Sequence, residues 1–226
     1  MIVVDILRGI YDWAEVWALL IPLSILIIRK PKADWVEPIK WYLIIALLLN
    51  IAIDFMWYVN KYYLWRDWGY KKSWNNNIIY NTQSIVRLFC FTWFFMRVRK
   101  QDKRFIQILQ AIFILATIFF LYHRLTYINS YVLASEAGLL LTCCLWFTVN
   151  MIWQDSLEAP GSQPSNWIVG GLTLYTSVNF FIFLFYSYLM EYYKTYSVTL
   201  WDVHNSLFIL LCLSISIALY NGARRK

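Results

Sequence analysis

Five ionisable side chains, Asp54, Arg87, Glu136, Asp202 and His204, stand within or just inside apolar runs of membrane length. A charge near a bilayer centre costs about 2.5–3.5 kcal/mol on insertion scales, so such residues are rare and face a bundle interior or a wet cavity. Together they imply a polar chamber. Spacing refines it: Asn50 and Asp54 are i, i+4 and share a helical face, as do Gln83 and Arg87. Arg87 is too far from either end of its run for its guanidinium to snorkel to an interface. It needs a buried carboxylate, and Glu136 and Asp54 are the depth-matched candidates for one Arg–carboxylate pair. The candidate ligand-binding set is therefore Asp54, Arg87, Glu136 and His204, with Asn81, Gln83 and Asn179 as polar neighbours. If the chemistry were acid catalysis, Asp54 and Asp202 would be the acids. A structural reading stands beside the functional one, in which these groups form a polar knot and Asn150, Asn179, Thr173 and Ser177 tie helices together. Asp202 also suits the first turn of a helix capped by Thr199. His123 and His204 could meet at the outer rim, but two histidines without a placed carboxylate do not specify a metal.

The elements that must position these residues follow from composition. The 226 residues are 61% hydrophobic and 15% charged, against about 45–50% and about 25% in soluble domains. Thirteen Trp and 17 Tyr fit aromatic belts at two membrane interfaces. Crossing a hydrocarbon layer of about 30 Å takes about 20 residues. Seven runs qualify: Trp13–Ile28, beginning nearer Ile10, Val36–Trp57, Ile78–Val98, Phe105–Tyr122, Tyr131–Trp153, Trp167–Met190 and Leu200–Tyr220. Their continuity excludes the alternating segments, each of about ten residues, that build a β-barrel. The expectation is an all-α, single-domain, seven-transmembrane-helix bundle over residues 1–226.

Lys and Arg set the orientation. Twelve lie in the first, third and C-terminal segments, including Arg97, Arg99, Lys100, Lys103 and Arg104, and seven lie on the other side. This places the N-terminus outside and the C-terminus in the cytoplasm, with Asp54, Arg87 and Glu136 in the outer half. The net charge of +7 is then a matter of loops and lipid headgroups, not of nucleic acid. Met1 to Glu15 carries Asp5, Asp12 and Glu15 and lacks the basic start of a cleavable signal. Cys90, Cys143, Cys144 and Cys212 all fall in apolar runs without metal-site spacing and read as small buried hydrophobes. No phosphate loop, CxxC, HExxH or nucleophile elbow is present, and no cofactor is implied. No Lys in the seventh run offers a retinal attachment point. Gly170-Gly171 would permit close helix packing.

The segments SYVLASEAGLLL, NWIVGGLTLYTSVNFFIFLF and LWDVHNSLFILLCL, with Asp54 late in the second run, the polar start NNNIIYNTQSIVR of the third, and Glu136, resemble an uncharacterised group of small seven-helix membrane proteins of Bacteroidota. Arg87 departs from the acidic or neutral residue expected at its place. Members often neighbour sensor histidine kinases, which implies a signalling role with such a kinase as partner. A second, thinner resemblance is to integral-membrane terpene cyclases of the fungal meroterpenoid type. It rests on NIAID (Asn50 to Asp54) and an acid on the seventh helix, Asp202. It implies protonation of a lipophilic substrate by a carboxyl group, with aromatic faces stabilising cations. The leading expectation is a receptor or accessory protein whose outward-facing polar pocket takes a small or lipophilic ligand amid membrane lipid. The cyclase and a structural subunit of a membrane complex are the alternatives.

Overall fold

The computed structural model describes Gly9, Tyr11 and residues 13–59, 77–98, 103–123, 130–153 and 163–224, and these are helical with short connections. In chain order the helices are α1 Ala14–Arg29, α2 Val36–Val59, α3 Asn77–Val98, α4 Lys103–His123, α5 Ser130–Trp153, α6 Pro164–Leu184, α7 Tyr186–Tyr192 and, after a 3₁₀ turn over Lys194–Tyr196, α8 Ser197–Arg224. Each apolar run expected from the sequence holds helix, the sixth in two pieces. Gly9 and Tyr11 are already helical and the Trp13 amide donates to the Gly9 carbonyl at 3.3 Å, so the first helical stretch does begin before Trp13. Ile10 itself lies outside the described residues.

Local chemistry sets the ends. Lys30 closes α1 in the left-handed conformation (φ 46°), its amide donating to the Leu26 carbonyl, the usual way of satisfying a last-turn carbonyl. Pro164 opens α6 at its first turn, where a missing N–H costs nothing. Phe185 (φ −98°, ψ 4°) then interrupts the sixth apolar run, which is therefore two helices, α6 and the short α7, and not the one continuous span that its hydropathy predicts.

Four helical stretches are long and apolar enough to cross a membrane: Val36–Met56, Ser130–Trp153, Pro164–Leu184 and Thr199–Arg224. They suggest a membrane protein. The remaining three long helices differ for legible reasons. At a rise of about 1.5 Å per residue, the 16 residues of α1 span about 24 Å. Helix α3 carries Asn81, Gln83, Arg87 and Arg97, and α4 opens on Lys103 and Arg104. Yet α4 exposes Ile108, Ile112, Leu115 and Phe119, at 60, 48, 68 and 66%. This is a one-faced stripe at i, i+4, i+7 and i+11, too apolar for a water-facing surface.

Packing neighbours run α1–α2–α3–α5–α6–α8 and back to α1, so six helices close a ring, with α4 outside it against α3 and α5. One end of the ring is an aromatic core. Phe94 meets Trp35 edge-on at 6.3 Å and Phe95 at 5.4 Å, and Phe95 reaches Phe147 at 6.0 Å. A cross-link from Gln110 Nε2 to Thr92 Oγ1 (2.7 Å) ties α4 to α3. The opposite end of the ring, at the starts of α1, α3, α5 and α8, holds the polar side chains.

Cys90, Cys143, Cys144 and Cys212 are free thiols buried in this packing, none more than 7% exposed. A water-soluble maleimide added to the folded protein in micelles is expected to leave all four unmodified and to label them only after unfolding. Mass spectrometry of the two samples checks this.

Candidate functional site

Arg87, midway along α3, is 5% exposed and Glu136 of α5 is 2% exposed. Arg87 Nε lies 2.6 Å from Glu136 Oε1. The Arg87 Nη1 group donates to the Tyr175 hydroxyl of α6, and the guanidinium lies over the Tyr175 ring at 5.2 Å. Ser84, one turn before Arg87, is also buried beside the Glu136 carboxylate. Burial makes this pair asymmetric: together the two charges compensate, but either one alone would be stranded. Of the two carboxylates the sequence offers to Arg87, the bundle supplies Glu136.

A second polar group stands across Tyr175. The Asn179 Nδ2 group donates to the Tyr175 carbonyl one turn earlier at 2.7 Å, and this turns the Asn179 Oδ1 atom toward His204 Nδ1 at 2.6 Å. Asn179 therefore joins α6 to α8, as interhelical hydrogen bonding predicts. Thr173 and Ser177 donate to carbonyls of their own helix, those of Val169 and Leu174. The other imidazole nitrogen, His204 Nε2, lies 3.3 Å from Glu15 Oε1 at the start of α1. Three rings surround His204: Tyr175 and Phe183 at 5.6 Å each, and Trp201 stacked at 5.0 Å. Asn50 holds the same corner, its Nδ2 donating to the Glu15 carbonyl at 3.3 Å.

These groups enclose a small pocket walled by Glu15, Tyr80, Gln83, Arg87, Leu133, Phe183, Tyr186, Trp201 and His204. Its interior, about 30 Å³ for water-sized occupants, has room for about two water molecules. The Phe185 break gives the pocket part of its wall, since it sets Phe183 of α6 and Tyr186 of α7 on either side of a bend. Buried side-chain oxygens of Asn50, Asn81 and Asn205 find no partner among the described residues, so this end of the ring still offers acceptors to a donor.

Known proteins give no further guide. No family model, no curated protein and no solved structure matches this chain.

Arg87, Glu136, Gln83, Asn179 and His204 lie together at this end of the ring, and Asn81 is buried at the same end of α3. Asp54 stands apart. It is half-buried on α2, makes no ion pair with a described residue, and is not among the described walls of the pocket, although it lies within electrostatic reach of Glu15. Asp202 is also half-buried and outside those walls. Its backbone carbonyl, not its carboxylate, receives the Tyr11 hydroxyl. The His123 side chain lies outside what is described, and no group of three metal-ligating side chains forms among the described residues.

Glu15 is the functional residue that sequence reasoning misses. It reads as part of the acidic N-terminal flank, although it sits one residue inside the first helix, at the depth of the other charges. Tyr175 is missed as well. Its signal is the i, i+4 spacing to Asn179, which puts both on the face of α6 that meets Arg87 and His204. Trp201 is likewise i, i+3 from His204.

Proposed function

We propose that the chain is a seven-span protein of a bacterial inner membrane, N-terminus outside and C-terminus in the cytoplasm. Its outward-opening pocket binds a small ligand and passes that state to a membrane or cytoplasmic partner such as a sensor histidine kinase. The observation that carries this reading is the place of Arg87, which is paired with Glu136 yet still lines a pocket with Glu15 and His204. A charge used only to tie helices together has no reason to face a cavity, whereas a recognition site needs its cation both compensated and reachable. The resemblance to the Bacteroidota seven-helix group points the same way by association.

The pocket as it stands is small, with room for about two water molecules. A ligand larger than a few heavy atoms enters by displacing the wall at the α6–α7 bend, where Tyr186 sits on a helix of only seven residues. That bend is then the moving part, and its motion the signal.

Cysteine accessibility tests the reading. In right-side-out vesicles, Leu133→Cys on the pocket wall is expected to react with a small, membrane-impermeant, trimethylammonium-bearing methanethiosulfonate, against a background of four buried native thiols. Reaction only from the cytoplasmic side, or none from either side with a small permeant reagent as well, would overturn an outward-opening pocket. A cytoplasm-only reporter fused after Lys226 is expected to give signal, and silence from that fusion would overturn the orientation.

A further inference from the structure

We propose that Glu15 and His204 form a proton-binding site, in which His204 is held as an imidazolium with Glu15 as its counter-ion. This goes beyond the pocket's role in taking a ligand and stands on the geometry of the pair alone.

The hydrogen-bond inventory leads to it. The Tyr175 carbonyl can only accept, so the Asn179 group facing it is the amide NH₂ and the oxygen faces His204. An oxygen 2.6 Å from His204 Nδ1 requires a proton on that nitrogen. In a neutral imidazole the other nitrogen is then bare. But Nε2 faces Glu15 Oε1 at 3.3 Å, and a bare nitrogen and a carboxylate oxygen are both acceptors. One further proton belongs between them.

The surroundings place that proton on the imidazole. Trp201 stacks on the His204 ring at 5.0 Å, within the distance over which a ring face attracts a cation. The facing charges agree. Helix α1 contributes Glu15, α2 contributes Asp54 within reach of Glu15, and α5 contributes Glu136, which is already matched by Arg87 of α3. Among the described residues, Tyr80 of α3, Tyr175 of α6 and Tyr186 of α7 are the other titratable groups around the ring, and Asp202 sits two residues before it on α8. Among the described residues Arg87 is already matched by Glu136, so a neutral His204 leaves the Glu15 carboxylate facing an acceptor, whereas the imidazolium gives it a partner.

The pair also bridges helices that are far apart in sequence. Glu15 opens α1 and His204 lies in the first third of α8, so the proton joins the first helix to the last, and Asn179 joins both to α6. Loss of the proton leaves two acceptors facing each other in the pocket wall.

Nitrogen NMR of the full chain in nanodiscs, with isotope-labelled histidine, tests this. The chain has only two histidines, so a His123→Gln background leaves His204 alone. Near neutral pH both ring nitrogens of His204 are expected in the protonated range. In that background Glu15→Gln is expected to move Nε2 to the unprotonated range while Nδ1 stays protonated, because the glutamine amide can donate to a bare nitrogen. A neutral ring in the protein that keeps Glu15 would overturn the proposal, and so would an imidazolium that persists in the Glu15→Gln variant. The first of these readings needs no variant of the pair itself, so it stands even if Glu15→Gln fails to fold.

Discussion

Replacing Arg87 by methionine is expected to destabilise the folded chain by about 3–5 kcal/mol, because it leaves the Glu136 carboxylate buried without a compensating charge. Glu136 is 2% exposed and its ion-pair partner at 2.6 Å is Arg87, so water cannot take over the lost interaction. Glu136→Leu alone is expected to cost a similar amount, this time by stranding the guanidinium, for which the Tyr175 hydroxyl is too weak a substitute. The double variant Arg87→Met with Glu136→Leu removes both charges and keeps approximate volume. It is expected to be neutral or more stable than the parent by about 1–4 kcal/mol, as for other buried pairs replaced by apolar residues. Reversible unfolding in mixed detergent, read for the two single variants and the double, measures all three. The double variant also separates stability from function: a bundle that folds at least as well but has an apolar wall where Arg87 stood shows what the charge is for. A double variant as unstable as the singles would mean that Arg87 and Glu136 are not each other's partners.

The neighbouring glycines of α6 are expected to respond in opposite ways. A Cβ built on Gly171 would lie 2.5 Å from Ser214 Cβ and 2.6 Å from its Oγ, both on α8. Ser214 is itself committed, its hydroxyl donating to the Leu210 carbonyl at 2.9 Å. The added methyl must push α6 and α8 apart, and overpacking of this kind costs about 1–3 kcal/mol. It acts in the ring that carries Asn179 and His204, so Gly171→Ala is expected also to disturb the 2.6 Å contact between them. Gly170 has nothing within 4 Å of the same construction. Gly170→Ala is expected to be neutral or to stabilise by up to about 1 kcal/mol through helix propensity. The same unfolding measurement on the two alanine variants checks this, and equal destabilisation of both would mean that α6 is rotated about its axis from the orientation described.

That contrast illustrates what can and cannot be read from the chain. The Gly170-Gly171 pair signals close helix approach, but only the packing shows that a single one of the two makes it. The long helices are legible because continuous apolar runs of about twenty residues have few other ways to satisfy their backbone. The break at Phe185 is not, since nothing in NFFIFLFYSYLM differs in hydropathy from a continuous helix. Arg87 announces its need for a carboxylate by its depth. Depth alone cannot choose between Asp54 and Glu136, because that choice depends on which face each helix turns to α3. Glu15 is hidden by its position near the beginning of the first helix, where an acidic residue ordinarily reads as a favourable first-turn charge. Its partner His204 is 189 positions away in sequence, and no local pattern spans that distance.

The most direct measurement of the central claim is a density map of the full chain in a lipid nanodisc, read at the pocket between Glu15, Arg87 and His204. The expected map shows Arg87 joined to Glu136 and Tyr175, His204 held between Asn179 and Glu15, and density in the space between them that no side chain accounts for. A map in which Arg87 is taken up by Asp54, or in which the walls close on one another with no space between them, would contradict it.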